Sequence, residues 1–170
     1  MSAVSDTCFI VNWSNFRRRG DLFKHFKTIN LPIAVIDEVR DVDVKRFIAG
    51  WIVKGFIKIL PSLPSIDVET LKLIRLVENI PSLPRIDPPE AYGLIYAKIL
   101  GIPLLTDNKA PKRIVKVIKE YEDVAVLDSL DVLKAIYCRR GLLRSRVKEF
   151  MQDTGISFSA ERLREIDIDA

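Results

Sequence analysis

The sequence predicts a three-layer α/β/α fold with a central, mainly parallel β-sheet. Short apolar segments of strand length alternate with helical segments along nearly the whole chain, and this alternation calls for a parallel sheet covered by helices on both faces. Several of the apolar segments also stop abruptly at an acidic residue. Because 170 residues suffice for a substantial core, we expect one domain over residues 1–170, with about 141–170 as a C-terminal helical extension.

Apolar spacing sets the predicted elements of the N-terminal part. Phe9, Trp13 and Phe16 have helical spacing, and the basic run 17–19 marks the end of that helix. The apolar segment 31–36 runs into an acidic pair and is predicted as the second strand. In order, the predicted elements are a strand at 3–5, helices at 8–16 and 21–26, a strand at 31–36, a helix at 37–53 and a short strand at 56–60.

The clearest helix signals lie around residue 90. Pro88 and Pro89 suit the first turn of a helix, where the N–H groups have no intrahelical partner. Gly101 fits the left-handed position just past the end of that helix. The apolar segment 103–105 follows and is predicted as a buried strand that ends close to Asp107.

The remaining elements are read from the same signals. Segments 60–67 and 80–87 nearly repeat each other, and we interpret both as proline-rich helix entries rather than as a functional repeat. The further predicted elements are helices at 68–79 and 109–121, a strand at 124–127, helices at 130–140 and 143–153, and a small helix that begins at Ser159.

Composition excludes several classes of protein. Apolar residues make up 48% and charged residues 29% of the chain, as in ordinary globular proteins, and no apolar run approaches membrane-spanning length. The N-terminus has no signal-peptide pattern, and the two cysteines lack metal-ligand spacing, so we expect a cytoplasmic protein without a membrane partner. The single histidine, His25, argues against histidine-based triads and histidine-rich zinc sites.

Four acidic residues occupy similar places in the predicted topology: Asp6, Glu38, Glu90 and Asp107. Asp6 and Asp107 follow strands, Glu38 lies just beyond the second strand, and Glu90 opens a helix. Ligands of open α/β sheets bind outside the carboxyl ends of the strands. Carboxylates gathered there repel one another unless a cation is present, and oxygen ligands suit Mg²⁺ or Mn²⁺. Such an ion can activate water for phosphodiester cleavage.

Each acid also has a purely structural interpretation. Asp87 and Glu90 have the spacing of a capping box, in which each side chain accepts a hydrogen bond from the other residue's backbone. Asp6 and Asp107 could cap the helices that follow them. Glu38 could interact with the positive end of its helix. These structural roles are all compatible with metal binding, because helix N-termini attract anions and acidic side chains for the same electrostatic reason.

The ordered motifs resemble the PIN-domain family, and more narrowly its VapC-like, PIN-like nuclease branch. The residues that carry the resemblance are 4–7 (VSDT), 32–39 (PIAVIDEV), Glu90 with its apolar helix, 104–108 (LLTDN) and 158–163 (FSAERL). The resemblance implies a Mg²⁺- or Mn²⁺-dependent ribonuclease with Asp6, Glu38, Glu90 and Asp107 as catalytic and metal-binding residues, supported by Thr7 and Asn108. Many members are toxins of toxin–antitoxin pairs, which implies RNA, a cognate antitoxin and a second copy of the chain as partners.

Two positions depart from the family pattern. Related sequences often carry an acid shortly after the position of Glu90, where this chain has Tyr92 and Gly93. They also often have an acidic pair where this chain has Asp107 and Asn108. A carboxamide can ligate a metal through its oxygen but brings no charge, so the second departure predicts weaker metal binding.

Basic residues lie close to the acids in the sequence. Seven are predicted to bind nucleic acid: Arg17, Arg18, Arg19, Lys109, Lys112, Arg113 and Lys116. A further basic group spans 139–148, and either group could instead be a solvated helix face. Trp13 and Trp51 lie in apolar helical patterns and are interpreted as core or interface residues.

Two other functions remain open at the level of sequence. One is a PIN-like module that binds RNA or a protein without cleaving it, since the fourth motif has lost an acid. The other is a flavodoxin-like or receiver-like regulatory domain, because acids at strand ends also occur there. The sequence shows no partner lysine or phospho-acceptor aspartate that we can place for the second alternative.

Overall fold

A five-stranded parallel sheet forms the centre of the computed structural model, which describes residues 1–166 without the side chain of residue 140. All four strand pairs are parallel, and the order is β3-β2-β1-β4-β5. The strands are β1 (Ser2–Ser5), β2 (Thr28–Pro32), β3 (Ile57–Leu60), β4 (Leu104–Leu105) and β5 (Val126–Leu127). The predicted fold class is confirmed.

Helices cover both faces of the sheet. They are α1 (Thr7–Asn15), α2 (Leu22–His25), α3 (Ile33–Glu38), α4 (Val42–Val53), α5 (Pro64–Glu78), α6 (Pro88–Leu100), α7 (Lys109–Val117), α8 (Ser129–Ile136), α9 (Arg140–Thr154) and α10 (Ala160–Arg164). Short 3₁₀ turns are present at Arg19–Asp21 and Lys119–Tyr121. None of the helices within residues 1–166 is long and apolar enough to cross a membrane.

Alternation along the strands divides the core into two clusters. Ala3 and Leu105 belong to the cluster beneath α1, α8 and α9, whereas Val4 and Leu104 belong to the cluster beneath α5, α6 and α7. Successive strand residues point to opposite faces, so β1 and β4 each contribute to both clusters. Helix α6 packs closely on β4 at Gly93. A Cβ added at Gly93 would lie only 3.0 Å from Leu104 Cδ1.

The strand order reverses between β1 and β4. Ser5 pairs with Leu105, so the residues that follow these two strands leave the sheet side by side. Ligand sites of open parallel sheets form at such a reversal. A flavodoxin-like or receiver-like sheet has the order 2-1-3-4-5, and the observed order therefore rules out that alternative.

The prediction of a second strand at 31–36 and a helix at 37–53 is wrong in its boundaries. Strand β2 ends at Pro32, and residues 33–36 belong to α3. A short apolar run looks the same in a buried strand and in a buried helix. The second helix starts anew at Val42, because the side chain of Asp41 accepts hydrogen bonds from the N–H groups of Asp43 and Val44 at 2.7 and 3.1 Å.

The C-terminal helices share the core of the domain. Phe150 of α9 contacts Trp13 and Phe16 of the N-terminal region, with ring centroids 5.4 and 5.1 Å apart. Leu163 of α10 and Ile166 are buried in the same cluster. Residues 167–170 of the expected extension lie outside the described part of the chain.

Candidate active site

A cavity of about 180 Å³ opens at the carboxyl end of β1, beside the point where the strand order reverses. We call it the acid cavity. Its polar lining residues are Asp6, Thr7, Glu38, Asp87, Glu90 and Asn108. Three of the four predicted acids, and both predicted supporting residues, therefore line one cavity.

Asp6 is held rigidly at the bottom of this region, with only 1% of its surface exposed. Its Oδ1 accepts a hydrogen bond from the N–H of Phe9 at 2.9 Å, which confirms that it caps α1. Its Oδ2 accepts from the Thr106 hydroxyl. The pKa of Asp6 is raised to about 7, mainly by burial and to a smaller extent by the negative charges of Asp107 and Glu90, against the lowering effect of these hydrogen bonds.

Glu90 enters the cavity from the first turn of α6 and is 6% exposed. The predicted capping box is confirmed: the Asp87 side chain accepts from the Glu90 N–H at 3.2 Å, and Glu90 Oε2 accepts from the Asp87 N–H at 3.3 Å. Burial raises the pKa of Glu90 to about 7, with further contributions from the charges of Asp87 and Glu38. Asp87 is thus an additional carboxylate at the cavity.

Glu38 lies at the opposite end of its helix from the one expected. It is the last residue of α3, where the negative end of the helix dipole disfavours an acid, so the interpretation as a stabilising N-terminal charge is wrong. Its side chain is exposed and reaches the edge of the acid cavity.

Asp107 follows β4 but does not cap α7, whose N-cap is Asn108. Its Oδ2 accepts hydrogen bonds from Asn12 Nδ2 at 2.9 Å and from the Ser129 hydroxyl at 2.7 Å, and its Oδ1 accepts from the Ser129 N–H at 2.8 Å. Burial raises the pKa of Asp107 despite these bonds. Asp107 lines a neighbouring cavity of about 440 Å³, and Asn108 lines both cavities.

Three residues that hold the acids were not singled out from the sequence. Thr106 links the two strand ends, because its hydroxyl donates to Asp6 and accepts from the Asn108 N–H at 3.0 Å. Asn12 and Ser129 fix Asp107 from α1 and α8. Thr106 directly follows β4 and Ser129 lies two positions after β5, which was a usable signal, whereas Asn12 becomes visible only once α1 is placed beside β4.

The position where related sequences carry an additional acid faces elsewhere in this chain. The Tyr92 hydroxyl donates to Asp67 of α5, and Gly93 is buried against β4. Neither position lines the acid cavity. Asp87, one turn earlier on the same helix entry, lines the cavity instead.

The donor set determines which cations could bind. Within residues 1–166, no three acidic, histidine or cysteine side chains converge into a ready-made metal cluster. Thr7 lines the acid cavity, and its hydroxyl oxygen is buried without a hydrogen-bond partner. Cys8 also lines it, but burial and the charges of Asp6 and Asp107 raise the pKa of its thiol to about 12, so it offers no thiolate. The available donors are therefore hard oxygen atoms.

The predicted nucleic-acid-binding residues divide into paired and unpaired groups. Arg17 forms an ion pair with Asp153 at 2.6 Å, and Arg18 with Glu149 at 2.9 Å. Arg19 donates to the Ser14 carbonyl at 2.9 Å. Lys112 pairs with Asp128 and Asp131. Lys109, Arg113 and Lys116 are exposed and form neither an ion pair nor a side-chain hydrogen bond with the described residues.

No protein-family model matches this chain, and no curated protein matches its sequence significantly. The assignment of a function to the acid cavity therefore depends on the geometry and charge of the cavity itself, together with the motif resemblance.

Proposed function

We propose that the protein is a divalent-metal-dependent ribonuclease that hydrolyses RNA phosphodiester bonds at the acid cavity. The observation that carries this proposal is the unbalanced charge of the cavity. Asp6 and Glu90 are buried, and no lysine or arginine whose side chain the structure describes forms an ion pair with either of them or with Asp107. Burying carboxylates without cations is costly, and proteins retain such groups mainly where they have a function.

The residues present fit Mg²⁺ or Mn²⁺. Mg²⁺ commonly binds through one or two carboxylates and keeps several waters, so it does not need a closed protein cage. Asp6 and Glu90 would hold the ion, with Glu38 at the edge of the acid cavity and the unpaired Thr7 hydroxyl as a further oxygen, while Asp107 approaches from the neighbouring cavity. When bound, the ion would supply a water of lowered pKa and neutralise charge on the phosphate.

The protein's own contribution is orientation. Two hydrogen bonds fix the Asp6 carboxylate, and three fix Asp107, so neither side chain must reorganise when a substrate arrives. Both oxygens of Asp6 and Oδ1 of Asp107 each accept one hydrogen bond and keep a second lone pair for a ligand, whereas Oδ2 of Asp107 already accepts two. Lys109 and Arg113, exposed directly after the Asp107–Asn108 loop, are suited to contact the phosphates of a bound strand.

RNA as the substrate is supported by the PIN-domain resemblance of the motifs around Asp6, Glu38 and Asp107. The same resemblance favours a role as the toxin of a toxin–antitoxin pair, with a cognate antitoxin and a second copy of the chain as partners.

A second candidate function is a PIN-like module that binds RNA or a protein without cleaving it. The specific observation in its favour is Asn108, which brings a neutral carboxamide to the cavity where related sequences carry an acid. The two candidate functions share the same fold and differ only in whether the acidic residues catalyse RNA cleavage.

One assay separates the two functions. The purified protein is incubated with a mixed RNA pool in Mn²⁺ or in EDTA, beside the variants Asp6→Asn and Asp43→Asn. Asp43 is exposed and remote from the acid cavity, so its variant is the matched control. We expect chelator-sensitive cleavage that falls at least about 100-fold in Asp6→Asn and is unchanged in Asp43→Asn. Binding without cleavage would support the module.

A further inference from the structure

A second, larger cavity lies next to the acid cavity and has different lining residues. Its volume is about 440 Å³, the size of a small-ligand pocket, and it shares the Asn108 side chain with the acid cavity. Its walls come from the loop after β4, from the first turns of α7 and from segment 156–159. We call it the side cavity. A strand of nucleic acid lying over Asn108 would enter both cavities.

Ion pairs hold the wall of the side cavity in place. Arg162 Nη2 donates to both carboxylate oxygens of Asp128 at 3.1 Å and to Asp131 Oδ1 at 2.6 Å. Lys112 Nζ donates to the same two acids at 2.5 and 3.1 Å. These contacts join α7, α8 and α10, and Leu163 anchors α10 in the core. Segment 156–159 is therefore a fixed wall and the cavity is preformed.

Two charged groups that line the side cavity have no ion-pair partner among the described residues, the Asp107 carboxylate and the Lys109 ammonium. Lys112 and Arg162 are neutralised by Asp128 and Asp131. Lys109 also lines the cavity, is exposed, and forms no ion pair with the described residues. It is the cationic lining group left to meet an anionic ligand.

The other lining groups suit a planar ligand. Phe158 is half-buried, packs on Phe150 with ring centroids 6.3 Å apart and lines the side cavity. Ser157 and Ser159 place hydroxyl-bearing residues on either side of it. An aromatic ring next to hydroxyl groups and an unpaired lysine matches the parts of a nucleotide: a base, a sugar and a phosphate.

We propose that the side cavity binds the nucleotide adjacent to the scissile phosphate, with its base against Phe158 and its phosphate at Lys109. The inference rests on the proposed ribonuclease function, because the acid cavity defines where the scissile phosphate lies. It adds a specificity element to that function: the base next to the cleaved bond is selected by the wall that segment 156–159 forms.

The first test measures binding without cleavage. The full chain in EDTA is titrated with the four nucleoside 3′,5′-bisphosphates by calorimetry, beside Lys109→Ala, Phe158→Leu and Lys119→Ala. Lys119 is exposed in the turn after α7, does not line the cavity and is not among the predicted nucleic-acid-binding residues. We expect about 5-fold weaker binding in Lys109→Ala and in Phe158→Leu, and less than about 2-fold change in Lys119→Ala. Thermal unfolding of each variant checks that Phe158→Leu is folded, and Lys109→Ala replaces an exposed residue.

The second test sequences the cleavage products of a randomised RNA pool in Mn²⁺. The expected result is a base preference next to the cut that is weakened in Phe158→Leu but retained in Lys119→Ala. Equal bisphosphate affinity in all four proteins, or no saturable binding, overturns the side-cavity proposal even if the enzyme cuts RNA. Bisphosphate binding that depends on Lys109 and Phe158 in a protein that cuts no RNA upholds the binding site and overturns the ribonuclease.

Discussion

Two groups of acids lie at the same edge of the sheet and differ in one respect, the presence of cations. The acid cavity gathers Asp6 and Glu90 without a basic partner among residues 1–166, and the pKa of each is raised to about 7. The second group, which we call the paired cluster, consists of Asp128 and Asp131, which follow β5 and form ion pairs with Lys112 and Arg162. There the hydrogen bonds from Arg162 and Lys112 outweigh burial and lower the pKa of Asp131.

The contrast shows which acids serve the fold. In the paired cluster each carboxylate joins helices through ion pairs, so its ionised form stabilises the native state. In the acid cavity, ionisation opposes folding, because buried negative charges repel each other and lose hydration. Selection for stability alone does not favour the second arrangement. A function that requires negative charge accounts for it.

The largest expected effect is that Asp6→Asn and Asp131→Asn change the free energy of unfolding in opposite directions. A raised pKa in the folded state means that the stability contributed by protonated Asp6 is present below pH 4 and is lost as the pH rises to about 7. Asp6→Asn removes that loss, so at pH 8 without divalent metal we expect it to raise the free energy of unfolding by about 1–3 kcal/mol. Denaturant unfolding at pH 5 and pH 8 measures the change.

Asp131→Asn is the matched variant in the paired cluster. Its lowered pKa means that ionised Asp131 contributes stability at neutral pH, which disappears only as the pH falls below the ordinary aspartate range. We expect Asp131→Asn to lower the free energy of unfolding at pH 8 by about 1–3 kcal/mol. If the two variants change stability in the same direction at pH 8, the distinction between the acid cavity and the paired cluster is wrong.

The next largest expected effect is the increase in thermal stability when a divalent metal binds. A cation that binds only the folded state stabilises it, by about 2.7 kcal/mol at a hundredfold excess over its Kd. For a domain of this size we expect Mn²⁺ to raise the Tm by about 5 °C at pH 8. The rise should shrink at pH 5.5, where protons compete for Asp6 and Glu90.

Matched variants assign that response to its site. Glu90→Gln should abolish most of the Mn²⁺-induced rise in Tm, because it removes one of the two buried carboxylates. Asp131→Asn should retain it, since Asp131 is already paired. Differential scanning fluorimetry with Mn²⁺ and with EDTA gives both values. An equal rise in all three proteins would place the metal elsewhere.

The sequence was sufficient to predict the layers of the fold and the acids at the ends of β1 and β4. Helix caps and strand-length apolar runs are local signals, so α6 and its capping box, with Asp87 and Gly101 at its two ends, were predictable from adjacent residues. Residues 33–36 were not, because an apolar run that short has no periodicity to separate helix from strand.

The charge state of each acid could not be predicted from the sequence, for a different reason. Asp131 and Arg162 are 31 positions apart and meet only through the packing of α10 on α8. Asn12 reaches Asp107 across 95 positions. Whether an acid is paired or unpaired depends on such long-range contacts, and no local pattern distinguishes Asp6 from Asp128 as residues that follow a strand.

The smallest predicted effect concerns Asn108, which borders both the acid cavity and the side cavity. Asn108→Asp adds a negative charge beside Glu90, whose pKa the Asn108 side chain now lowers by hydrogen bonding. We expect Mn²⁺ affinity to increase about 3- to 10-fold, because each added carboxylate strengthens a hard-cation site. The same charge should lower the metal-free stability by less than about 1 kcal/mol, since the helix N-terminus at α7 partly compensates it.

Calorimetric titration with Mn²⁺ tests this, with Asn79→Asp as the control because Asn79 is exposed at the end of α5 and lines neither cavity. Unchanged affinity in Asn108→Asp would mean that the metal lies too far from residue 108 to sense its charge. Tighter binding together with faster RNA cleavage would show that the carboxamide limits the enzyme through its metal. Tighter binding without any cleavage would instead favour the non-catalytic module, since the acids would then hold a cation that supports no chemistry.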